Sequence, residues 1–327
     1  MSWSDLSKEE KKRRRKRFNI IVSIVLIALL LAGFLLFHPL TVTHNLNMLT
    51  EKGYYNPVSV GDYSLNLLKF GNENGNHKIV ALAGFDVGDS SVSMRKMTAE
   101  LEIDNQVIFL DRAGYGASDD TKADMHVGTI VEDYRTALRN ANVEAPYTLM
   151  AHSLAGVYAS YWVSQYPDEI DSVILLDTTW LLDENAEDNV TPMVISQYLQ
   201  FLAAKTGLVD LPMPSSVDGT KEEKKTAKAL TSMTMDSCAL ISEVKLEPNN
   251  IKDTLDVLSP NDIPKLYIQC GKELPDEARK NLERYTDRLG NCQIALLDSG
   301  HLMYLEKPDE TGKIIRNFID EKTTPIH

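Results

Sequence analysis

Residues 147–162, YTLMAHSLAGVYASYW, hold the arrangement of residue types best suited to covalent chemistry. A run of apolar residues that reads as a buried strand enters Ala151-His152-Ser153-Leu154-Ala155-Gly156 and leaves as a helical pattern. A serine on a sharp strand-to-helix turn needs small neighbours two positions away on either side, because bulky ones would clash. Ala151 and Ala155 meet that requirement. Such a turn aims the Ser153 hydroxyl outward and leaves the Leu154 backbone N–H at a helix N-terminus, where it can stabilise an oxyanion. A serine that merely caps a helix after a strand would look similar, so the turn alone does not decide between the two.

The surrounding chain supplies the elements that would position such a serine. Short runs at Ser64–Phe70, Lys78–Ala83, Gln106–Asp111, Tyr147–Ala151, Ser172–Asp177, Lys265–Cys270 and Gln293–Leu297 read as strands, most of them continuously apolar as expected of strands buried on both faces. Helical patterns at Gly128–Ala141, Ala155–Gln165, Pro275–Leu289 and Pro308–Lys322 alternate with them. Strand–helix alternation predicts a doubly wound, mostly parallel α/β sheet, with ligands beyond the carboxyl ends of its strands. The core is expected over 58–179 and 259–327. Residues 180–258 break the rhythm, with helical stretches at Gln197–Lys205 and Ser232–Lys245 and a charged run at Lys221–Lys228, and are expected to form a helical cap. Its apolar residues Met193, Tyr198, Leu202, Leu208, Met213, Met233 and Met235 could line an acyl pocket or form the cap's own core.

Taken together these segments resemble the α/β-hydrolase family over roughly residues 58–322. Lys78–Asp86 (KIVALAGFD) is similar to the family's third strand and oxyanion loop, with Ala83-Gly84-Phe85 in place of the usual His-Gly-x. Asp111–Ser118 (DRAGYGAS) is similar to its D-R-x-G-x-G-x-S turn, and Tyr166-Pro167-Asp168 with Ser172–Asp177 to the helix end and strand after the elbow. Ser299-Gly300-His301, followed by Leu305–Pro308, resembles its histidine loop. The resemblance implies a chain order of Ser, acid, His. Only His301 and the terminal His327 follow Ser153, so His301 is the expected base. The Phe85 N–H is the expected second oxyanion donor, and His152 is read as a packing neighbour of the elbow.

The acid has two candidates. The family's commonest place is an Asp three residues after a Gly beyond the seventh strand, but Leu274 stands there, flanked by Glu273 and Asp276. Some relatives carry the acid after the sixth strand, where Asp177 fits. Asp177 is preferred, with Glu273 as the alternative. Asp111 and Arg112 are read as braces of their turn, and Asp86 as a substrate contact or a loop cap. No cofactor or metal constellation is expected.

The chain has 327 residues, 43% hydrophobic and 25% charged, with a net charge of −13. That composition is globular, and the acidity disfavours nucleic acid as a partner. The average hides a division. Residues 1–17 carry eight Lys/Arg against three acids, residues 18–37 carry no charge, and the remainder holds 26 basic and 44 acidic residues. Ile20–Phe37, eighteen residues interrupted only by Ser23, would extend about 27 Å as a helix, close to a bilayer's hydrocarbon thickness. The expected arrangement is a basic cytoplasmic tail (1–17), a transmembrane anchor (18–37) in contact with the lipid bilayer, a tether (38–57), and a body on the extracytoplasmic side. A cleaved signal peptide fits less well, because the run is long and no A-x-A site follows. Cys270 and Cys292 fall at opposite ends of neighbouring strands, so no essential disulfide is expected.

Function on this reading is a membrane-anchored serine hydrolase acting on a small-molecule carboxylic ester, lipid-like esters included. An aminopeptidase-type amide hydrolase, with Asp183, Glu184, Glu187 or Asp188 binding a free amine, is the nearest alternative. A non-catalytic binding or sensing protein of the same fold is another.

Overall fold

The computed structural model describes residues 7–85, 87–182, 189–211 and 217–323, with the side chains of Leu30, Leu31, Phe34, Leu35, Lys322 and Thr323 outside the description. Its strands are β1 (Pro57–Ser59), β2 (Ser64–Gly71), β3 (Lys78–Leu82), β4 (Gln106–Leu110), β5 (Tyr147–His152), β6 (Ile170–Leu176), β7 (Asn261–Cys270) and β8 (Gly290–Leu297). They form one sheet in the order β1-β2-β4-β3-β5-β6-β7-β8. β1 and β2 run antiparallel to their neighbours, and β4 to β8 pair in parallel.

The long helices are α1 (Lys8–Glu51), α4 (Val127–Asn140), α5 (Ala155–Gln165), α6 (Thr191–Lys205), α7 (Lys221–Thr234), α8 (Cys238–Val257), α9 (Asp276–Leu289) and α11 (Pro308–Thr323). Single turns form α2 (Ser90–Ser93), α3 (Arg95–Thr98) and α10 (Met303–Glu306). Alternation along each strand divides the core in two. Val80, Leu82, Leu149 and Ala151 face α4, α5 and α9, while Ile79, Ala81 and Met150 face Met97, Ile315 and Phe318 beneath the sheet. This two-sided burial explains why the strands read as continuous apolar runs. On the α4–α5 side Trp162 is fully buried, stacked on Tyr134 at 6.1 Å and edge-on to Tyr147 at 5.9 Å. Each such pair is worth about 0.5–1.5 kcal/mol beyond burial.

Residues 189–257 depart from the expected helix boundaries. The charged run Lys221–Lys228 opens α7, where Thr220 and Glu223 form a reciprocal capping box. The stretch expected as one helix over Ser232–Lys245 is broken at 235–237, because Ser237 caps the N-terminus of α8. Met193, Tyr198, Leu202 and Leu208 are exposed, neither a lining nor a core, and Met213 lies outside the described residues.

The N-terminal segment also differs from its expected division into tail, anchor and tether. One helix of 44 residues runs from Lys8 to Glu51, started by a Ser7/Glu10 capping box. It passes Pro39, with Thr41 and Thr43 hydroxyls bonding back to the Phe37 and Pro39 carbonyls. It ends at Gly53, whose φ of +74° favours glycine, and the Tyr54 N–H closes on the Leu49 carbonyl at 2.8 Å. The segment expected as a tether is helical because Met48 and Leu49 are buried against Val92, Ala227 and Leu230. Among the described residues no helix is long and apolar enough to cross a membrane, so the structure gives no support to a spanning segment at 18–37.

Candidate active site

The parallel register pairs His152 of β5 with Leu176 of β6, so Ser153 and Asp177 leave adjacent strands at the same level of the carboxyl edge. Both have left-handed backbones, φ +54° at Ser153 and +44° at Asp177. Side chains rarely adopt that conformation, and it costs of order 1–3 kcal/mol per residue. The surrounding hydrogen bonds hold it in place. Ser153 N–H donates to the Leu176 carbonyl (3.1 Å), the Ser153 carbonyl accepts from Gly156 and Thr179, and Asp177 N–H donates to Ile268 (2.8 Å). Small residues permit the turn. Ala151 and Ala155 are fully buried, and a Cβ on Gly156 would lie 2.4 Å from Thr178 Cβ.

His301 comes from the loop between β8 and α10. Its Nε2 is 3.0 Å from Ser153 Oγ and its Nδ1 is 2.6 Å from Asp177 Oδ2. A carboxylate only accepts, so the proton sits on Nδ1, and Nε2 is free to accept from the serine hydroxyl. Of the two acid candidates it is Asp177 that meets His301, while Glu273 is exposed in the turn after β7. Asp276 opens α9, where its charge suits the helix N-terminus. Burial would raise the Asp177 pKa, but the hydrogen bonds from His301 and Cys270 outweigh it and hold the carboxyl below its usual range.

His152 packs against His301. Its Nε2 bonds to the His301 carbonyl at 3.1 Å, and its ring lies 4.7 Å from the His301 ring and edge-on to Tyr304. Burial, reinforced by His301, pushes its pKa down to about 4, so it is a neutral packing residue. Glu306 secures the same loop by accepting from Gly300 N–H at 2.7 Å.

The loop after β3 closes on the elbow. A Cβ on Gly84 would stand 2.8 Å from both Ser153 Cβ and His152 Nδ1, so only glycine allows this approach. Phe85 and Leu154 follow Gly84 and Ser153 directly in the chain. Arg112 braces the loop through its guanidinium, donating to the Ala83 carbonyl and to the Gly84 carbonyl at 3.0 Å. Its Nε faces Glu243 of α8 at 2.9 Å, an ion pair rather than a well-aligned hydrogen bond. Tyr115 and Tyr158 hydroxyls also donate to Glu243. Asp111 accepts from Asn66 (3.1 Å), and burial lifts its pKa to about 7, as suits a structural brace. Sequence reasoning did not find Glu243, because nothing local marks it. Asp86, Asp183, Glu184, Glu187, Asp188 and His327 lie outside the described residues.

A cavity of about 280 Å³ opens over the site, lined by Ser153, Asp177, Thr178, Thr179, Trp180, Gln269 and His301. Among the described residues, no group of three or more His, Cys, Asp or Glu side chains could hold a metal ion. Cys270 and Cys292 stand five register positions apart on β7 and β8, which pair Lys265 with Cys292 and Cys270 with Leu297.

A parallel sheet carrying a strained serine after β5 and a histidine after β8 matches the pattern of the alpha/beta hydrolase fold, whose family profile fits residues 79–308. The chain belongs to that family. It is similar to an uncharacterized protein, YbdG, of Bacillus subtilis (strain 168), 23% identical over 92% of this chain and 96% of that one. Its fold is similar to that of Cfl2 from Burkholderia cenocepacia (TM-score 0.63, 18% identity, 81% of this chain and 95% of that chain). The enol-lactonase from Burkholderia xenovorans LB400 also shares the fold (TM-score 0.61, 17% identity, 81% of this chain and 100% of that chain).

Proposed function

We propose that the chain is a serine hydrolase that cleaves carboxylic esters at a membrane surface. The observation that carries the reading is the unbroken hydrogen-bond path from Asp177 through His301 to Ser153. Ser153 Oγ attacks the acyl carbonyl as its proton passes to His301 Nε2, and Asp177 stabilises the resulting imidazolium. The Phe85 and Leu154 N–H groups hold the tetrahedral oxyanion, an interaction worth about 10²–10³ in rate per donor. His301 then protonates the departing alkoxide, and the acyl group remains on Ser153. Water, deprotonated by His301, attacks the acyl carbon and releases the carboxylic acid.

A serine at the elbow, where carbon–halogen displacement would need a carboxylate nucleophile, favours acyl transfer. The enol-lactonase of the same fold is consistent with an ester substrate. An aminopeptidase-type reading would rest on Asp183, Glu184, Glu187 or Asp188, which lie outside the described residues.

Membrane association rests on the basic tail and the uncharged run 18–37. It is supported by an exposed apolar stripe at helical spacing on α6, Ile195 (56%), Leu199 (63%) and Leu202 (57%), with Tyr198 beside it. If the run 18–37 spans, the basic tail would set the N-terminus on the cytoplasmic side and the body outside.

Fluorophosphonate labelling of the full chain in detergent tests the chemistry. Stoichiometric labelling lost in both Ser153→Ala and His301→Ala is expected. A folded wild type that does not label overturns the hydrolase reading, and labelling retained in Ser153→Ala overturns the choice of nucleophile. The full chain is required, because α1 packs on the body as far as Leu49. For the membrane reading, the chain should stay with the membrane fraction through an alkaline carbonate wash, and release there overturns it.

A further inference from the structure

We propose that Cys270 and Gln269, the last two residues of β7, are positioning residues for the acid of the triad, aiming the Asp177 carboxylate at His301. The proposal rests on the serine-hydrolase reading above.

The geometry is specific. Asp177 Oδ2, which accepts the hydrogen bond from His301 Nδ1–H, also accepts from the Cys270 thiol at 2.9 Å. Oδ1 accepts from Gln269 Nε2 at 2.5 Å and from the Cys270 N–H at 3.2 Å. Both oxygens are thus held on two sides, and the carboxylate cannot turn about its own axis without breaking bonds. The Gln269 carboxamide is itself oriented, since the same Nε2 lies 3.2 Å from the Cys270 carbonyl. These donors arrive through the sheet. β6 and β7 pair Leu176 with Ile268, and Asp177 N–H donates to the Ile268 carbonyl, which sets Gln269 and Cys270 beside the acid.

Asp177 needs this support. Its left-handed backbone is strained, so His301 alone would hold a side chain whose main chain has a lower-energy alternative. The thiol suits the task for a chemical reason. Burial, together with the adjacent carboxylate, pushes Cys270 up to about 12, so it stays an S–H donor at working pH and adds no second negative charge. Redox-sensing cysteines are low-pKa thiolates in electropositive surroundings. Cys270 has the opposite character.

The test compares Cys270→Ala, Cys270→Ser and Gln269→Met with wild type and Ser153→Ala in the full chain. The readouts are fluorophosphonate labelling rate and p-nitrophenyl butyrate hydrolysis as functions of pH, with thermal unfolding as the fold control. Loss of a donor makes the carboxylate more basic, so the Asp177–His301 pair keeps a proton to higher pH. Cys270→Ala should lower the labelling rate about tenfold and move the acid limb of the profile upward. Cys270→Ser, which restores a donor, should return both toward wild type. Gln269→Met should reproduce the shifted limb, and does so even if Cys270→Ala folds poorly. Wild-type rate and profile in Cys270→Ala and Gln269→Met overturn the proposal. So does equal impairment of the Ala and Ser variants with an unmoved limb, which would mean packing alone. A wild type no more reactive than Ser153→Ala removes the hydrolase reading and this proposal together.

Discussion

Arg112, on the turn after β4, and Glu243, on α8, form an ion pair in which the two side chains are 1% and 0% exposed. The same guanidinium grips the carbonyls of Ala83 and Gly84, so one side chain joins the expected oxyanion loop to a helix of the insertion between β6 and β7. Taking two charges out of water is costly, and the pair is tolerated because the Tyr115 and Tyr158 hydroxyls complete the shell around Glu243.

Removing one partner should therefore be severe. Glu243→Ala leaves the Arg112 charge buried and is expected to destabilise the fold by about 3–5 kcal/mol, measured by urea unfolding. Glu243→Gln, which keeps hydrogen bonding, should cost less. Variants of unchanged stability would mean that water replaces the carboxylate.

The two acid candidates are separable by kinetics. Asp177→Asn disrupts the tautomer that His301 needs and should lower kcat by about 10⁴, while Glu273→Gln should stay within about twofold, as expected of an exposed surface change. The reverse ranking in an ester hydrolysis assay would transfer the role to Glu273.

Gly84→Ala probes the loop without removing a reacting group. The new Cβ would need to occupy space 2.8 Å from Ser153 Cβ, so the loop must retreat. The labelling rate should fall by about 10² or more, the worth of one oxyanion donor. An unchanged rate would show that the Phe85 N–H is not used.

His38 predicts a pH response in α1. It is buried between Asp236 (3.1 Å) and Asp210 (2.8 Å), with Lys205 also on Asp236 and Ser232 on Asp210. The hydrogen bond to Asp236 raises its pKa, burial opposes this, and Asp210 adds to the rise. A raised folded-state pKa means that the contribution to stability is complete below the unfolded value near 6.5 and is lost as pH climbs through the raised value. Hydrogen exchange of residues 38–51 and 205–211 should thus rise, beyond its intrinsic pH dependence, as pH climbs above the unfolded value near 6.5. His38→Gln should abolish that excess.

What the sequence disclosed and withheld follows from the range of the forces involved. Ser153 was legible because its turn is local, requiring a strand before it, a helix after it and Ala at two fixed offsets. The sequence favours Asp177 over Glu273 only slightly, because the choice depends on where β6 and β7 stand relative to His301, a register set by the whole sheet. The helix through 38–51 falls where a tether is expected, and Pro39 and the Thr41–Val42–Thr43 run are poor helix formers. Burial of Met48 and Leu49 against α7 overrides them. His38 offered no signal at all, since its partners lie 172 and 198 residues away.

The unbroken course of α1 has a mechanical consequence. A flexible tether would let the body swivel freely, whereas a helix clamped at His38 and Leu49 transmits torsion. Each residue inserted between Arg17 and His38 would turn residues 8–17 by about 100° about the axis relative to the cavity mouth and shift them about 1.5 Å along it. The length of this segment, counted in residues, therefore sets the bearing of the cavity mouth relative to the arginine-rich end of the chain.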